Sequence, residues 1–373
     1  MGKFYIVASS YRPNTAYTNR LLSFLHGFSD LGIDTEVVFL APDKDRSTVQ
    51  EMLPHIYINY MWRKMPFSNR ILNKLAEEYY GRKFAKQLKP GDVVFLTNFG
   101  NIFFKVIGKR GVKIIHEKTE HPDVYTFKGF DLEKYKHEVP KVDCLFVIST
   151  SLRDYYVSLG VDSAKIEIVN MTVDCKRFAG LMKQPSDKYI AYCGTASNNK
   201  DGVDELIKSF SIVHKSYPEV KLYIIGATPD RKDVSGNQKL IKDLELQELI
   251  VFTGIVSTAD MPQLLKNATI LALDRPNSLQ AQCGFPTKLG EYLLTENPVV
   301  VTKVGDIPLF LKDGESALLA EERNPENFAS KIIWALENPA KAAEIGKKGA
   351  SVALSKFNYL TETKKILNMI KKL

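Results

Sequence analysis

Residues 284–320 read GFPTKLGEYLLTENPVVVTKVGDIPLFLKDGESALLA. Pro286 suits the first turn of a helix, because its missing N–H would have no partner there and its φ is already helical. A helix is therefore predicted to begin near Pro286. Leu289, Tyr292 and Leu293 follow at three- and four-residue spacing, which is the apolar stripe of a helix. Thr295-Glu296-Asn297-Pro298 then signals a turn, and Val299, Val300 and Val301 form the short apolar run of a buried strand. A helix feeding a buried strand is the repeating piece of parallel α/β proteins.

Working outward, strand-like apolar runs alternate with helical patterns along the whole chain. In the first half they are 4–8, 35–40, 93–96, 112–115, 144–148 and 166–168. A second series is 189–193, 220–225, 249–252, 269–273, 299–301 and 317–319. Two Rossmann-like domains fit 373 residues better than one core. The boundary is placed at Asp174-Cys175-Lys176-Arg177-Phe178, giving domains of 1–176 and 177–356, with a lysine-rich C-terminal helix over 357–373.

A helix starting at the carboxyl edge of a parallel sheet turns its free N–H groups and positive dipole end toward any ligand held there, which suits a diphosphate. Lys288 adds a full positive charge at that start. Glu291 lies three residues on, a turn deeper on the same face, where a carboxylate can accept from the vicinal hydroxyls of a ribose. The loop Gly194-Thr-Ala-Ser-Asn-Asn-Lys200-Asp-Gly202 follows a strand and precedes the helical pattern Val203, Leu206, Ile207, Phe210. Gly194 lets backbone approach a phosphate, and open α/β sheets bind ligands at this edge. Against this, a solvated loop lysine is the bland reading of Lys200.

These residues resemble the nucleotide-sugar domain of the GT4 family of retaining glycosyltransferases, whose fold is GT-B. The resemblance implies an α/β protein of two Rossmann-like parallel-sheet domains facing a central cleft. The form GFPTKLGEYL, then PVV and VGDIP, carries it, together with the segment Val169-Asn170-Met171-Thr172-Val173-Asp174 before the second domain. The family pattern has two glutamates separated by seven residues. Glu291 matches the second, ribose-binding one, and Cys283 stands where the first is expected, facing the donor sugar. In the matching loop the family usually carries an arginine and a lysine on the diphosphate. Lys200 matches the lysine, no arginine occupies the Thr195 region, and Arg275 from a neighbouring loop is a candidate replacement. The segment Phe252-Thr253-Gly254-Ile255-Val256 resembles the one bordering the base, and Gly226 closes the strand beside it. By resemblance the donor contacts then comprise Gly194, Thr195, Gly226, Ile255, Val256, Arg275, Cys283, Phe285, Pro286, Thr287, Leu289 and Glu291. The C-terminal helix is implied to cross back onto the first domain.

On the acceptor side the resemblance points to His116-Glu-Lys-Thr-Glu120-His121-Pro122, which ends an apolar strand, and to Ser9-Ser10-Tyr11-Arg12-Pro13-Asn14, which lacks the family's paired glycines. His116 and Glu120 are the catalytic candidates there, beside Lys288 and Lys200. A metal is not expected. His116 and His121, five apart, do not form H-E-x-x-H, and Asp43-Lys44-Asp45 follows the second strand and reads as a solvated loop.

The implied activity is metal-independent, retaining transfer of a sugar from a nucleoside-diphosphate sugar to a saccharide or lipid-linked saccharide acceptor, with no cofactor. Two rivals stay open: a nucleotide-sugar epimerase of similar fold, and a catalytically silent nucleotide-sugar-binding protein. A dinucleotide oxidoreductase is disfavoured because no G-x-G-x-x-G follows the first strand.

Hydrophobic content of 45% and charged content of 25% are ordinary for a globular chain. No run approaches the roughly 18 apolar residues of a membrane span. The run 4–8 reads as a first strand and not a signal peptide. Cys144, Cys175, Cys193 and Cys283 lack C-x-x-C spacing, which suits free thiols and a cytoplasmic setting. The net charge of +8 is concentrated. Arg63, Lys64, Arg70, Lys74, Arg82, Lys83, Lys86 and Lys89 face only Glu77 and Glu78, with Trp62, Phe67, Ile71, Leu72 and Leu75 interleaved. That mixture over 62–89 suits either an anionic membrane surface at the inner face or an ordinary solvated helix. Nucleic acid is not expected, since no zinc finger, basic zipper or RNP-like strand accompanies the charge.

Overall fold

Thirteen strands among the described residues lie in two sheets, parallel throughout. The computed structural model describes residues 2–13, 15–40, 49, 52–61, 70–97, 100–124, 130–227 and 231–373. Asn14 and Asp43-Lys44-Asp45 lie outside them, as do Trp62, Arg63, Lys64 and Phe67. The chain divides into one unit of Met1–Asn170 with Tyr359–Leu373 and another of Met171–Asn358.

The first unit holds β1 (Phe4–Ala8), β2 (Thr35–Phe39), β3 (Ile56–Tyr60), β4 (Val93–Leu96), β5 (Lys113–Lys118), β6 (Cys144–Val147) and β7 (Ile166–Ile168). Their order is β3-β2-β1-β4-β5-β6-β7. The central strands are buried on both faces, as parallel strands covered by helices must be. β3 is the strand that apolar-run reading passes over. It is an edge strand whose residues alternate between half-buried and exposed, so Ile-Tyr-Ile-Asn-Tyr has period two and no continuous apolar run. Helix Tyr359–Ile370 packs on helix Ala16–Asp30. Ile366 and Met369 join Phe24 and Phe28 in the core, and the Tyr359 hydroxyl donates to Asp30 Oδ2 at 2.7 Å.

β5 runs three residues beyond the predicted 112–115, and this corrects the reading of the acceptor-side segment. His116, Glu117 and Lys118 are inside the strand and buried. His116 has no exposed surface: its ring nitrogens lie 3.1 Å from the Tyr135 hydroxyl and 3.3 Å from the Leu96 carbonyl. Burial, with Lys118 nearby, lowers its pKa to about 3, so the imidazole is neutral at pH 7. His116 is thus a core side chain here, while Glu120 lies half-buried beyond the strand.

The second unit holds β8 (Tyr189–Cys193), β9 (Lys221–Ile225), β10 (Ile250–Gly254), β11 (Ile270–Leu273), β12 (Val299–Thr302) and β13 (Leu318–Ala320), in the order β10-β9-β8-β11-β12-β13. The order reverses beside β8, so the chain leaves β8 and β11 in opposite directions and opens a crevice at their carboxyl ends. Helix Val203–Ser216 buries Val203, Leu206, Ile207 and Phe210, the stripe expected of it, and extends it to Val213. Helix Thr287–Leu294 buries Leu289, Tyr292 and Leu293 and packs against helix Pro339–Lys356.

Candidate nucleotide-sugar site

The site is built at the carboxyl ends of β8, β9 and β10 and the start of helix Thr287–Leu294. Pro286 is the N-cap of that helix, one residue earlier than its expected first-turn position, with φ −74° and ψ 108°. The Gly194 N–H donates to the Ile225 carbonyl at 2.8 Å and the Gly226 N–H to the Gly254 carbonyl at 3.0 Å, so the three strand ends share one edge. Gly194 has φ +152°, and a Cβ there would lie 2.2 Å from Lys288 Nζ. Only glycine lets this strand end abut that lysine.

Lys288 is therefore where its sequence context puts it, but it is not alone. Its Nζ donates to Asp201 Oδ2 at 2.5 Å and to the Tyr192 hydroxyl at 3.1 Å. The Tyr192 hydroxyl in turn lies 2.7 Å from Asp201 Oδ2 and 2.7 Å from the Thr195 carbonyl. Burial lowers the pKa of Lys288 and outweighs the pull of Asp201. Burial acts on Asp201 in the opposite sense to its partners, and Lys288 with the Tyr192 hydroxyl holds its carboxyl below the usual range. Lys200 acts electrostatically on Lys288, and Arg275 on Asp201, so both bring further positive charge to the same place. Arg275 is itself buried, with its backbone N–H on Thr302 Oγ1 at 2.9 Å.

Glu291 lies deeper on the helix and is held by the Arg177 guanidinium, which also donates to the Thr258 carbonyl at 3.1 Å. The Cys193 backbone N–H donates to the Tyr292 hydroxyl at 2.5 Å. Burial pushes the Cys193 thiol up to about 12, so it stays protonated beside this carboxylate.

The structure brings together Gly194, Thr195, Lys200, Gly226, Arg275, Lys288 and Glu291, with Thr287 half-buried at the helix start. Ile255, 75% exposed, and half-buried Val256 continue from β10. Other expected donor contacts go to the core. Leu289 is fully buried, and its N–H bonds back to the Pro286 carbonyl. Phe285 packs its ring on Phe310 and Phe357, at 5.4 and 5.5 Å between centroids. Cys283 and Pro286 are buried as well. A helix of eight residues can turn one face to a ligand only by giving the other to the sheet. Asp201, Tyr192 and Arg177 are the site residues that sequence reading did not single out. Asp201 directly follows Lys200, yet nothing local signals that it will meet a lysine 87 residues away. Among the described residues no group of three His, Cys, Asp or Glu could hold a metal ion.

Residues 187–338, which contain this site apart from Arg177, match the family model described as glycosyl transferases group 1. The chain is 23% identical over 188 residues to mannosylfructose-phosphate synthase of Agrobacterium fabrum, covering 49% of this chain and 40% of that protein. It is 22% identical over 240 residues to a GDP-mannose-dependent alpha-(1-6)-phosphatidylinositol monomannoside mannosyltransferase of Mycolicibacterium smegmatis, covering 61% and 62%. The matches thus span about 40 to 62% of the length of these curated relatives. Among solved structures, Anabaena HepE in complex with UDP and glucose superposes with a TM-score of 0.77 at 16% identity, covering 100% of both chains. Sucrose-phosphate synthase of Thermosynechococcus elongatus superposes at 0.78 and 15% identity, covering 100% of this chain and 99% of that one. The fold is GT-B. The stretch 187–338, which carries the second sheet and most of the candidate site, is the part of the chain that resembles the glycosyl transferases group 1 family.

Proposed function

We propose that the protein is a retaining, metal-independent glycosyltransferase that moves a hexose from a nucleoside-diphosphate sugar to a saccharide or lipid-linked saccharide in polysaccharide or glycoconjugate synthesis. One observation carries the reading: Lys288 at a helix start, against the glycine end of β8, with Glu291 a turn deeper. Diphosphate and ribose are thereby offered partners in the order in which a nucleotide presents them. As the bond from the sugar to the diphosphate breaks, negative charge grows on the leaving oxygens. Lys288, Lys200, Arg275 and the helix N–H groups stabilise it, and Asp201 with Tyr192 keeps Lys288 in place until the diphosphate draws it. No protein nucleophile is needed. In the family's usual scheme the departing phosphate takes the acceptor proton on the face it leaves.

The test is thermal unfolding with UDP, GDP, ADP and CDP. At a concentration 100 times Kd, one of them is expected to stabilise the protein by about 2.7 kcal/mol, a rise in Tm on the order of 3–7 °C. Glu291→Ala should weaken that nucleotide. No shift with any of the four removes the donor reading. Cys283 in place of the family glutamate and the Lys288–Asp201 pair favour one rival, a silent binding protein, which would show the shift but consume no nucleotide sugar. An epimerase would consume it with no acceptor present.

The partner surface is an anionic membrane. On helix Arg70–Gln87, Leu72, Leu75 and Tyr79 share one face and are 37%, 59% and 63% exposed. Arg82, Lys83 and Lys86 continue that face and are exposed. The side chains of Arg70, Ile71 and Lys74 lie outside the described residues. Apolar residues beside cations fit an anionic headgroup layer. Sedimentation should recover the protein with phosphatidylglycerol vesicles and not with phosphatidylcholine ones, and the triple change Arg82→Glu, Lys83→Glu, Lys86→Glu should abolish it. Equal recovery on both lipids removes the reading. No helix among the described residues is long and apolar enough to cross a membrane.

A further inference from the structure

We infer that Arg177 is a positioning residue of the donor site, which ties the ribose carboxylate to the loop bordering the base. The inference rests on the proposed ribose role of Glu291. Arg177 lies in the 3-10 turn Cys175–Phe178, outside the family domain and far in sequence from both of its partners. The turn is capped by Asp174, whose side chain accepts from the Lys176 N–H at 2.9 Å, while the Arg177 N–H bonds to the Asp174 carbonyl at 3.3 Å. The backbone at Arg177 is thus held before its side chain makes any contact.

The guanidinium then uses two separate nitrogens. Nη1 donates to Glu291 Oε1, and Nη2 donates to the Thr258 carbonyl at 3.1 Å. Thr258 lies in the segment between Gly254, the last residue of β10, and helix Met261–Asn267, just after Ile255 and Val256. That segment is closed on itself, with Ser257 Oγ 2.6 Å from Asp260 Oδ2 and the Met261 N–H on the Ser257 carbonyl at 3.1 Å. One planar fork therefore fixes one oxygen of the Glu291 carboxylate and the position of the base-side loop together. A lysine keeps the charge but presents its donors from one nitrogen and lacks the planar fork, so it can replace the arginine only in part. The side chains of Arg177 and Glu291 keep 23% and 21% of their surface exposed, so the pair is not sealed in the core.

Each variant is measured by calorimetric titration with the tightest-binding of UDP, GDP, ADP and CDP, with its 2′,3′-dideoxy analogue and with pyrophosphate. Arg177→Ala is expected to weaken the nucleoside diphosphate about 10-fold, equivalent to about 1.4 kcal/mol, to erase most of its advantage over the dideoxy form, and to leave pyrophosphate unchanged. Arg177→Lys should recover part of the advantage. In the double variant Arg177→Ala with Glu291→Ala, binding should match Glu291→Ala alone, since the arginine acts through the carboxylate. Additive losses overturn the inference, and so does tighter binding in Arg177→Ala, which would make the arginine a competitor of the ribose. A variant that fails to fold would lose pyrophosphate as well, and Arg177→Lys then decides: no recovery of hydroxyl preference overturns the inference. If Glu291→Ala leaves the hydroxyl preference intact, the ribose role of Glu291 fails and takes the inference with it. If Glu291→Ala abolishes the preference and Arg177→Ala does not, only the inference fails.

Discussion

Lys288→Ala is expected to lower kcat/KM by at least about 10²-fold, the scale on which loss of one transition-state charge partner acts. The same change leaves Asp201 as a buried carboxylate without its lysine. Removing one partner of a fully buried pair costs about 3–5 kcal/mol, and the cost here is smaller because the Lys288 side chain is 16% exposed. The two consequences separate in the double variant Lys288→Ala with Asp201→Asn. Asparagine carries no charge to leave uncompensated, so Tm should return toward that of the parent while activity stays low. Steady-state kinetics beside thermal unfolding check this. Near-normal turnover in Lys288→Ala would sink the assignment. Recovery of turnover in the double variant would mean that Lys288 serves only to neutralise Asp201.

Gly202→Ala is expected to destabilise the protein by about 2–4 kcal/mol and to weaken nucleotide binding with it. Gly202 ends the short helix Asn198–Asp201 and precedes helix Val203–Ser216, with φ +61° and ψ 40°. An alanine there must adopt the left-handed conformation. Its Cβ would also fall 1.9 Å from the Asp274 carbonyl oxygen, a backbone atom that cannot swing aside. The adjoining residues are Lys200 and Asp201, so any shift of the turn moves the partner of Lys288. Chemical denaturation of Gly202→Ala checks the stability, and titration with the nucleoside diphosphate checks the site. An unchanged midpoint would show that the turn relaxes without cost.

The parallel α/β character of both units was legible because it depends on local patterns. Apolar runs of three to six residues alternate with stripes at three- and four-residue spacing, and burial of parallel strands on both faces makes those runs continuous. The same logic explains what was passed over. β3 is an edge strand, so half of Ile56–Tyr60 faces outward and its pattern is diluted. At β5 the apolar run stops at Ile115, but the strand continues through His116, Glu117 and Lys118. Those polar residues can be buried because tertiary partners satisfy them: Tyr135 and Leu96 for His116, and Arg20, 97 residues away, for Glu117.

Within the candidate site, sequence alone determined which chemistry was on offer: a lysine and a carboxylate one turn apart on a helix after Pro286, and a glycine loop with Lys200 after β8. These signals are local, since a cap, a helical spacing and a turn each involve a few neighbouring residues. Only the tertiary structure decided which of these side chains go to the core and which meet a distant charge. It gave Leu289, Phe285 and Cys283 to the core, set Asp201 against Lys288 across 87 residues, and set Arg177 against Glu291 across 114. The physical reason is that a charge in a partly dry site finds its energy in whichever opposite charge the fold delivers within about 4 Å, and the separation of that partner along the chain does not enter the interaction.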